Sequence, residues 1–162
     1  MFVEVVFNRY QCDAVWYFII FFSGFSHDDL IEPIAVAVNN NDEVLIADNG
    51  VGSILVFESC GKLKKKIGTK GKNKGEFKEL SSVCIGPRGE IIVADTRIII
   101  FSATGEFIRE IGSVSCKESG ARGRFCGVSV DRNGHLLAAR MEKSKSYIQV
   151  QIFHFKDHKN LL

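Results

Sequence analysis

The sequence lacks the residue patterns of a zinc site and of a disulfide framework. Its five cysteines form no C-x-x-C pair, and no Cys/His ligand array is present. Because an odd number of cysteines argues against complete disulfide pairing, we expect a reducing compartment and a cytoplasmic location. The four histidines show no metal-ligand spacing apart from His154 and His158, which a polar tail explains equally well. We therefore expect no metal and no cofactor.

An excess of charge of one sign is also lacking. The chain has 21 Lys and Arg residues against 19 Asp and Glu residues, which gives a formal net charge of +2. In a chain of single-domain size this balance argues against disorder and against a surface that is basic everywhere. No segment shows sustained helical periodicity, so we expect an all-β fold.

Residues 1–29 contain a strongly apolar run that is too short to cross a bilayer. The run covers residues 14–22, whereas a transmembrane helix needs about 20 residues. A signal peptide is an alternative, although Glu4 and Asp13 stand where positive charge is expected and no Ala-x-Ala site follows. We predict strands over 2–7 and 15–22, either as remnants of a preceding unit or as a non-native start joined to a partial coding sequence.

Two stretches of the sequence repeat each other. Val36 and Val83 lie in matching apolar runs, and Asp48 and Asp95 end matching Ala-Asp pairs; both spacings are 47 residues. Each copy contains four short β-like runs. A period of roughly 40 to 50 residues built from four strands is typical of a β-propeller blade rather than of a helical repeat.

The residues within each copy explain why the runs should be strands. The second runs, 44–46 and 91–93, are continuous branched aliphatics, as expected for strands buried on both faces between stacked sheets. Turn residues follow the runs, because glycine permits the backbone angles that tight turns need. The glycines assigned to these turns are Gly61, Gly89, Gly105 and Gly134.

A third copy follows in weaker form. Gly134 keeps the register because it lies 45 residues after Gly89, but Arg140 stands where the other copies have aspartate, and no clear fourth run follows Phe153. We therefore predict a partial propeller of two complete four-stranded blades and one incomplete blade. The predicted limits are residues 1–29 for the atypical N-terminal segment, about 30–76, 77–124 and 125–153 for the blades, and 154–162 for a polar tail.

The repeat resembles the NHL repeat, the propeller blade found at the C-terminal end of tripartite-motif ubiquitin ligases and related cytoplasmic regulators. The resemblance covers about residues 30–150 and rests on the Val-Ala-Val run at 36–38, the two Ala-Asp pairs, and Gly-Glu-Phe at 75–77. The Asn-His-Arg triplet of the family is replaced by Asn-Gly-Val-Gly at 49–52 and is missing from the second copy. The strand and turn residues still predict the fold. A function that the family assigns to the triplet cannot be assigned to this chain.

The resemblance implies a ring of about six blades, which three blades cannot close. An open β edge invites pairing with another chain. We therefore expect that the chain is a fragment or truncated gene product, or that its edges are covered by a partner or by the N-terminal segment.

Asp48 and Asp95 allow a structural and a catalytic interpretation. The structural one is that each carboxylate accepts backbone hydrogen bonds in the turn that follows. The catalytic one is a propeller hydrolase or lyase with carboxylates and histidines around a central metal. An active site needs different residues from different blades at one point, so recurrence favours structure, and we expect no catalytic residue.

Basic residues gather at one end of the predicted blades, where the loops between strands 2 and 3 and between blades lie. Clustering raises the local potential even when the whole chain is nearly neutral. The candidate surface for a partner protein or RNA consists of Lys70, Lys72, Lys74, Lys78, Arg97, Lys117, Arg122, Arg124, Arg140, Lys143 and Lys145.

The resemblance implies a non-catalytic protein-interaction module that recruits substrates for ubiquitination. This sequence has no RING-type ligand array and no coiled-coil heptads, so the chain alone should have no ligase activity. The alternative is single-stranded RNA binding through the basic loops in post-transcriptional regulation, as some NHL propellers do. Aromatic residues for stacking bases are scarce in these loops.

Overall fold

The computed structural model describes residues 30–111, 123–142 and 148–154, and within them every regular element is a β-strand. The predicted strands at 2–7 and 15–22 and the residues after His154 lie outside this part. In chain order the strands are β1 (Pro33–Val38), β2 (Val44–Asp48), β3 (Ser53–Phe57), β4 (Leu63–Ile67), β5 (Thr69–Lys70), β6 (Glu76–Phe77), β7 (Ser82–Ile85), β8 (Ile91–Ala94), β9 (Ile98–Phe101), β10 (Phe107–Ile111), β11 (Gly123–Val130), β12 (His135–Glu142) and β13 (Ile148–His154).

Three antiparallel sheets account for most of these strands. The first sheet has the order β1-β2-β3-β4, the second β7-β8-β9-β10 and the third β11-β12-β13. In each sheet, strands that follow one another in sequence pair side by side. The prediction of an all-β chain with two complete four-stranded blades and an incomplete third is confirmed.

Two apolar cores lie between neighbouring sheets. Along β2, Leu45 and Ala47 point to the core shared by the first and second sheets, while Ile46 points to the opposite face of the first sheet. The second sheet alternates in the same way, with Val93 toward the first sheet and Ile92 toward the third. Because both faces of β2 and β8 are buried, their continuous branched aliphatic runs have the composition that this position requires.

Polar bonds also join neighbouring sheets. The inner strand β7 lies between β1 and β11. Leu80 N–H donates to Asn49 Oδ1 at 3.1 Å, which links the segment before β7 to the first sheet. Val128 N–H donates to Ser82 Oγ at 3.2 Å, which links β11 to β7. The position of each sheet is therefore set by directional bonds as well as by apolar packing.

The four predicted turn glycines have positive φ angles between 80° and 89°. Each donates its N–H to the carbonyl oxygen of the residue three positions earlier, which closes a tight turn. A side chain would be strained at these angles. The glycines with this geometry are Gly61, Gly89, Gly105 and Gly134.

Two features differ from the expectation. The loop between the first two blades, in which the sequence placed the four lysines, contains a short parallel pair, β5 with β6. Phe77 inserts into the core between the first two sheets and brings the chain back alongside Thr69 and Lys70. Arg140 was placed in a loop, which is wrong: it lies inside β12, half-buried and paired with Phe125. The aspartate that organises the turn at this point in the other sheets is absent here.

Candidate functional site

The turns between the second and third strands and the segment 68–81 lie at the same end of the sheets, which we call the loop end. Asp48 organises this end in the first sheet. Its buried carboxylate accepts hydrogen bonds from the N–H groups of Ile31 at 2.7 Å, Glu32 at 3.0 Å and Val51 at 2.9 Å. The carboxylate thus joins the segment before β1 to the turn after β2.

Asp95 repeats this arrangement in the second sheet. Its buried carboxylate accepts hydrogen bonds from Lys78 N–H at 3.1 Å, from Arg97 N–H, and from the Thr96 hydroxyl at 3.3 Å. Lys78 and Ile31 both precede the first strand of their sheets, so the two carboxylates tie together equivalent parts of the repeat. The oxygens of both residues are engaged by local donors.

Arg97 is buried, with 8% of its surface exposed. Its Nη1 lies 2.8 Å from Glu110 Oε2, its Nη2 donates to the Glu76 carbonyl at 2.8 Å, and Asp95 Oδ2 is 3.7 Å from Nη2. The sequence placed Arg97 correctly in a turn but wrongly suggested an exposed group. Two acidic side chains surround the guanidinium, and they hold it inside the loop end.

Residues 70–78, which we call the lysine loop, are held in a compact shape by Glu76. The Glu76 carboxylate accepts the Asn73 N–H at 2.9 Å and the Asn73 Nδ2 at 3.1 Å. Gly71 N–H donates to the Phe77 carbonyl at 2.8 Å. Hydrogen bonds from the Asn73 backbone and then from its side chain hold the pKa of the Glu76 carboxyl below its usual range, so the carboxylate is ionised at neutral pH.

A side chain at position 71 would displace the Glu76 carboxylate from its present place. A Cβ atom built on Gly71 would lie 1.9 Å from Glu76 Oε2. The backbone of the lysine loop therefore packs directly against the charged group that organises it.

The four lysines of the lysine loop are all exposed: Lys70, Lys72, Lys74 and Lys78. The loop lies against the turn after β2, because a Cβ atom on Gly52 would approach the Lys70 Cβ to 2.7 Å. Four cations thus project from a short segment whose backbone is fixed by hydrogen bonds. This part of the predicted basic surface is present as a group.

An exposed isoleucine lies on the other side of the same turn. Ile31 is 67% exposed, and a Cβ atom on Gly50 would lie 2.5 Å from its Cγ2. Residues 49–52 therefore separate an apolar side chain from the Lys70 side of the loop end. The sequence analysis missed Ile31, although the repeat gives a signal, since Ile31 aligns with Lys78 at the spacing of 47 residues.

The other predicted basic residues do not join this group of exposed lysines as far as the structure describes them. Arg124 Nη1 lies 2.5 Å from Glu79 Oε1, with 41% and 53% of the two side chains exposed, so part of its charge is balanced. Arg140 lies within β12. The remaining four fall outside the described residues: Lys117, Arg122, Lys143 and Lys145.

Among residues 30–111, 123–142 and 148–154, no group of three or more His, Cys, Asp or Glu side chains could hold a metal ion. His135 Nδ1 instead lies 2.7 Å from Asp131 Oδ2 within a hairpin turn. Burial raises the pKa of the Cys84 thiol to about 12, which is the behaviour of a core thiol. In the part of the chain that the structure describes, no helix is long and apolar enough to cross a membrane.

The family model of DUF5128, described as a 6-bladed β-propeller, matches residues 26–156.

Two curated relatives are similar to this chain, one over a long stretch at lower identity and one over a short stretch at higher identity. Protein brain tumor of Drosophila melanogaster is 27% identical over 119 residues, which is 70% of this chain and 11% of that protein. Human tripartite motif-containing protein 2 is 44% identical over 45 residues, which is 26% of this chain and 6% of that protein. The chain thus spans about a tenth or less of the length of these relatives. Together with the family match, they support an NHL-like propeller.

A solved structure shares the fold. The gluconolactonase of Xanthomonas campestris superposes with a TM-score of 0.52 at 13% identity, over 67% of this chain and 35% of that one. At this level of identity the likeness extends to the fold alone.

Proposed function

Since this chain belongs to the DUF5128 family of 6-bladed β-propellers, we propose that it is a non-catalytic binding module that holds a partner protein at its loop end. The observation that carries the proposal is the lysine loop, whose four exposed cations are held on a backbone fixed by Glu76 and Asn73. A preorganised group of side chains loses less conformational entropy on binding than a flexible one. The loop end is thus suited to an acidic partner surface.

The position of Ile31 supports a protein partner. Interfaces combine a buried apolar anchor with a polar rim. Ile31 offers 67% of its surface at the same loop end as the lysine loop, on the other side of residues 49–52. An acidic segment that carries an apolar side chain would match both elements.

A non-catalytic role is supported by the state of the repeated carboxylates. Asp48 and Asp95 are buried and bound by backbone N–H groups, so neither is directed at a substrate. The gluconolactonase likeness concerns the fold and carries no catalytic residue to this chain.

The finer proposal is that the partner is a protein selected for ubiquitination in the cytoplasm. The partial similarity to tripartite motif-containing protein 2 supports this assignment, over 26% of the chain. The chain would serve as the substrate-binding part, and the ligase chemistry would reside elsewhere.

Single-stranded RNA is the second candidate partner, and the exposed lysines favour it. RNA-binding surfaces of this kind also use aromatic side chains on which bases stack. All the phenylalanines of the described residues are buried or half-buried: Phe57, Phe77, Phe101, Phe107, Phe125 and Phe153. This favours a protein partner.

Affinity capture from a cytoplasmic extract, with and without ribonuclease, tests the choice of partner. A double change of Lys72→Glu and Lys74→Glu should reduce capture at least about tenfold, because it reverses charge at the centre of the loop end. The matched control is Lys62→Glu with Lys66→Glu, two exposed lysines on or beside the outer strand β4. Equal capture by both variants would contradict the proposal, and loss of capture after ribonuclease would favour RNA.

A second pair of variants tests the apolar anchor. Ile31→Ser should weaken protein capture, whereas Val38→Ser should leave it unchanged, because Val38 is 45% exposed at the opposite end of β1. An effect of equal size from both substitutions would argue against a binding role for Ile31.

A further inference from the structure

The lysine loop directly follows an exposed threonine. Thr69 forms the short strand β5 together with Lys70, and both residues are exposed. The stretch 62–78 contains eight lysines, and Thr69 is its only residue with a hydroxyl group. A single exposed hydroxyl thus lies within a strongly basic segment.

The spacing of charge makes Thr69 a candidate acceptor for phosphorylation. Protein kinases select substrates partly through charge, and a common class of them requires a basic residue three positions before the acceptor hydroxyl. Among the Ser and Thr residues that the structure describes, two meet this requirement. Thr69 follows Lys66, and Ser81 follows Lys78, at this spacing.

The structure separates these two hydroxyls. Ser81 is half-buried, and its Oγ lies 3.0 Å from the Ala94 carbonyl oxygen and 2.6 Å from the Phe125 carbonyl oxygen. Because these bonds join the second and third sheets, a kinase could reach Ser81 only by opening the fold. Thr69 lies in an exposed strand of two residues, and so short a ladder opens at low cost.

A phosphate on Thr69 would alter the charge of the lysine loop. The loop, residues 70–78, has a net charge of +3 from its four lysines and one glutamate. A phosphate next to Lys70 carries about −1.5 to −2 charge at neutral pH. It would therefore offset about half or more of the positive charge that an acidic partner meets at the loop end.

The position of Glu76 adds a second effect. β5 and β6 pair in parallel with Thr69 opposite Glu76. A phosphate on Thr69 would therefore lie beside the carboxylate that accepts the Asn73 N–H at 2.9 Å. Like charges repel at this separation, so the carboxylate would be displaced and the lysine loop would lose the hydrogen bonds that fix its backbone.

We propose that Thr69 is a phosphorylation site whose phosphate releases an acidic partner from the loop end, an inference that rests on the proposed function. In the modification, Thr69 Oγ bonds to the γ-phosphorus of ATP, and the bond from that phosphorus to the bridging oxygen of ADP breaks. The hydroxyl proton passes to a base of the kinase. The loop end then has two states, a strongly cationic one that holds the partner and a weakly cationic one that does not.

Treatment of the folded full chain with ATP and a purified kinase of this class, followed by mass spectrometry of its peptides, tests the site. Ser146, which also follows a lysine at this spacing outside the described residues, is changed to Ala in every sample. Phosphate should appear on Thr69 and not on Ser81. Lys66→Ala should slow the reaction at Thr69 at least about tenfold, whereas Lys62→Ala, outside the required spacing, should not. An unmodified Thr69, or equal rates at Thr69 and Ser81, would overturn the proposal.

Binding of poly-glutamate, an acidic polypeptide probe, tests the effect of the phosphate. The phosphorylated chain should bind this probe at least about fivefold more weakly than the untreated chain, and a phosphatase should restore binding. Hydrogen exchange of the Asn73 amide should accelerate in the phosphorylated chain. Thr69→Val is the control, and treatment with the kinase should change neither quantity in it.

The variant with Lys72→Glu and Lys74→Glu distinguishes this inference from the proposed function. If this variant binds poly-glutamate as tightly as the wild-type chain, the lysine loop is not the binding surface, and the proposed function fails together with the inference. If the variant binds more weakly but phosphorylation of Thr69 leaves the affinity unchanged, the inference alone fails.

Discussion

Asp48, Asp95 and Arg140 occupy equivalent positions near the ends of the second strands, and the two residue types have different consequences. Where aspartate is present, its carboxylate binds backbone N–H groups of the following turn, and the strand ends at or just before it. Where arginine replaces it, β12 continues to Glu142. The aspartates therefore help to set the length of the strands.

Substitution of Asp48 tests this role. Asp48→Ala leaves three backbone N–H groups without their acceptor, so we expect the free energy of unfolding to fall by about 2 to 4 kcal/mol. Urea denaturation followed by circular dichroism measures the change. Glu106→Ala, at an exposed turn position, is the control and should alter stability by less than about 0.5 kcal/mol. A loss of similar size in both variants would contradict the structural role.

Asp131 predicts a dependence of stability on pH. Hydrogen bonds from the His135 backbone and side chain, and then from Asn133, hold the pKa of the Asp131 carboxyl below its ordinary value of 3.8. A lowered pKa in the folded state stabilises the fold above the ordinary value, and this contribution is lost as the pH falls through the folded-state pKa.

Comparing the wild-type chain with Asp131→Ala isolates this contribution. Between about pH 4 and pH 2 the wild-type chain should lose more stability than the variant, since the variant has no carboxylate to protonate at this position. Glu43 and Glu76 also have lowered pKa values, but they are present in both proteins and cancel in the difference. Parallel curves of unfolding free energy against pH would show that the Asp131 hydrogen bonds contribute little.

At the scale of elements, the sequence predicted the regular strands but not the shape of the lysine loop. Branched aliphatic runs bounded by turn glycines were sufficient to locate β2, β3, β8 and β9. The pairing of β5 with β6 depends on the insertion of Phe77 between two sheets, which is a tertiary contact without a local pattern. Burial of Arg97 was likewise invisible, because Glu110, its partner, lies on another strand.

Removal of the Glu76 carboxylate should loosen the lysine loop while leaving its lysines in place. In Glu76→Ala, the Asn73 amide loses its acceptor, so its hydrogen exchange should accelerate at least about tenfold. Partner capture should weaken as well, although the net positive charge of the loop rises. Glu79→Ala is the control, since it removes a nearby exposed carboxylate that binds Arg124 instead. Stronger capture by Glu76→Ala would mean that charge alone, and not loop shape, determines binding.

At the scale of the whole molecule, the order of the sheets and their apolar faces followed from the repeat, but the exposure of each face did not. The continuous apolar runs along β2 and β8 predict burial on both sides of these strands. Only the structure shows that Ile46 has no exposed surface whereas Val150 and Ile152 are 65% and 62% exposed. The basic surface was predicted incompletely: Lys70, Lys72, Lys74 and Lys78 were correctly placed at the loop end, whereas Arg140 was incorrectly placed in a loop.

Contacts between sheets should make the fold cooperative. Ile98 has no exposed surface and lies between the second and third sheets, so Ile98→Ala should cost about 2 to 5 kcal/mol through lost burial and a cavity. A single denaturation transition should persist, since neighbouring sheets share their cores. Ile108→Ala, at an exposed position on β10, should have a small effect. Two separated transitions would show instead that the sheets unfold independently.

The bonds from Leu80 to Asn49 and from Val128 to Ser82 have a geometric consequence for the angle between neighbouring sheets. The first bond joins the segment before β7 to the turn after β2, and the second joins β11 to β7, so each fixes how two neighbouring sheets are oriented. The angle between neighbouring sheets is thus specified separately at each junction, by directional bonds between residues of the two sheets that meet there.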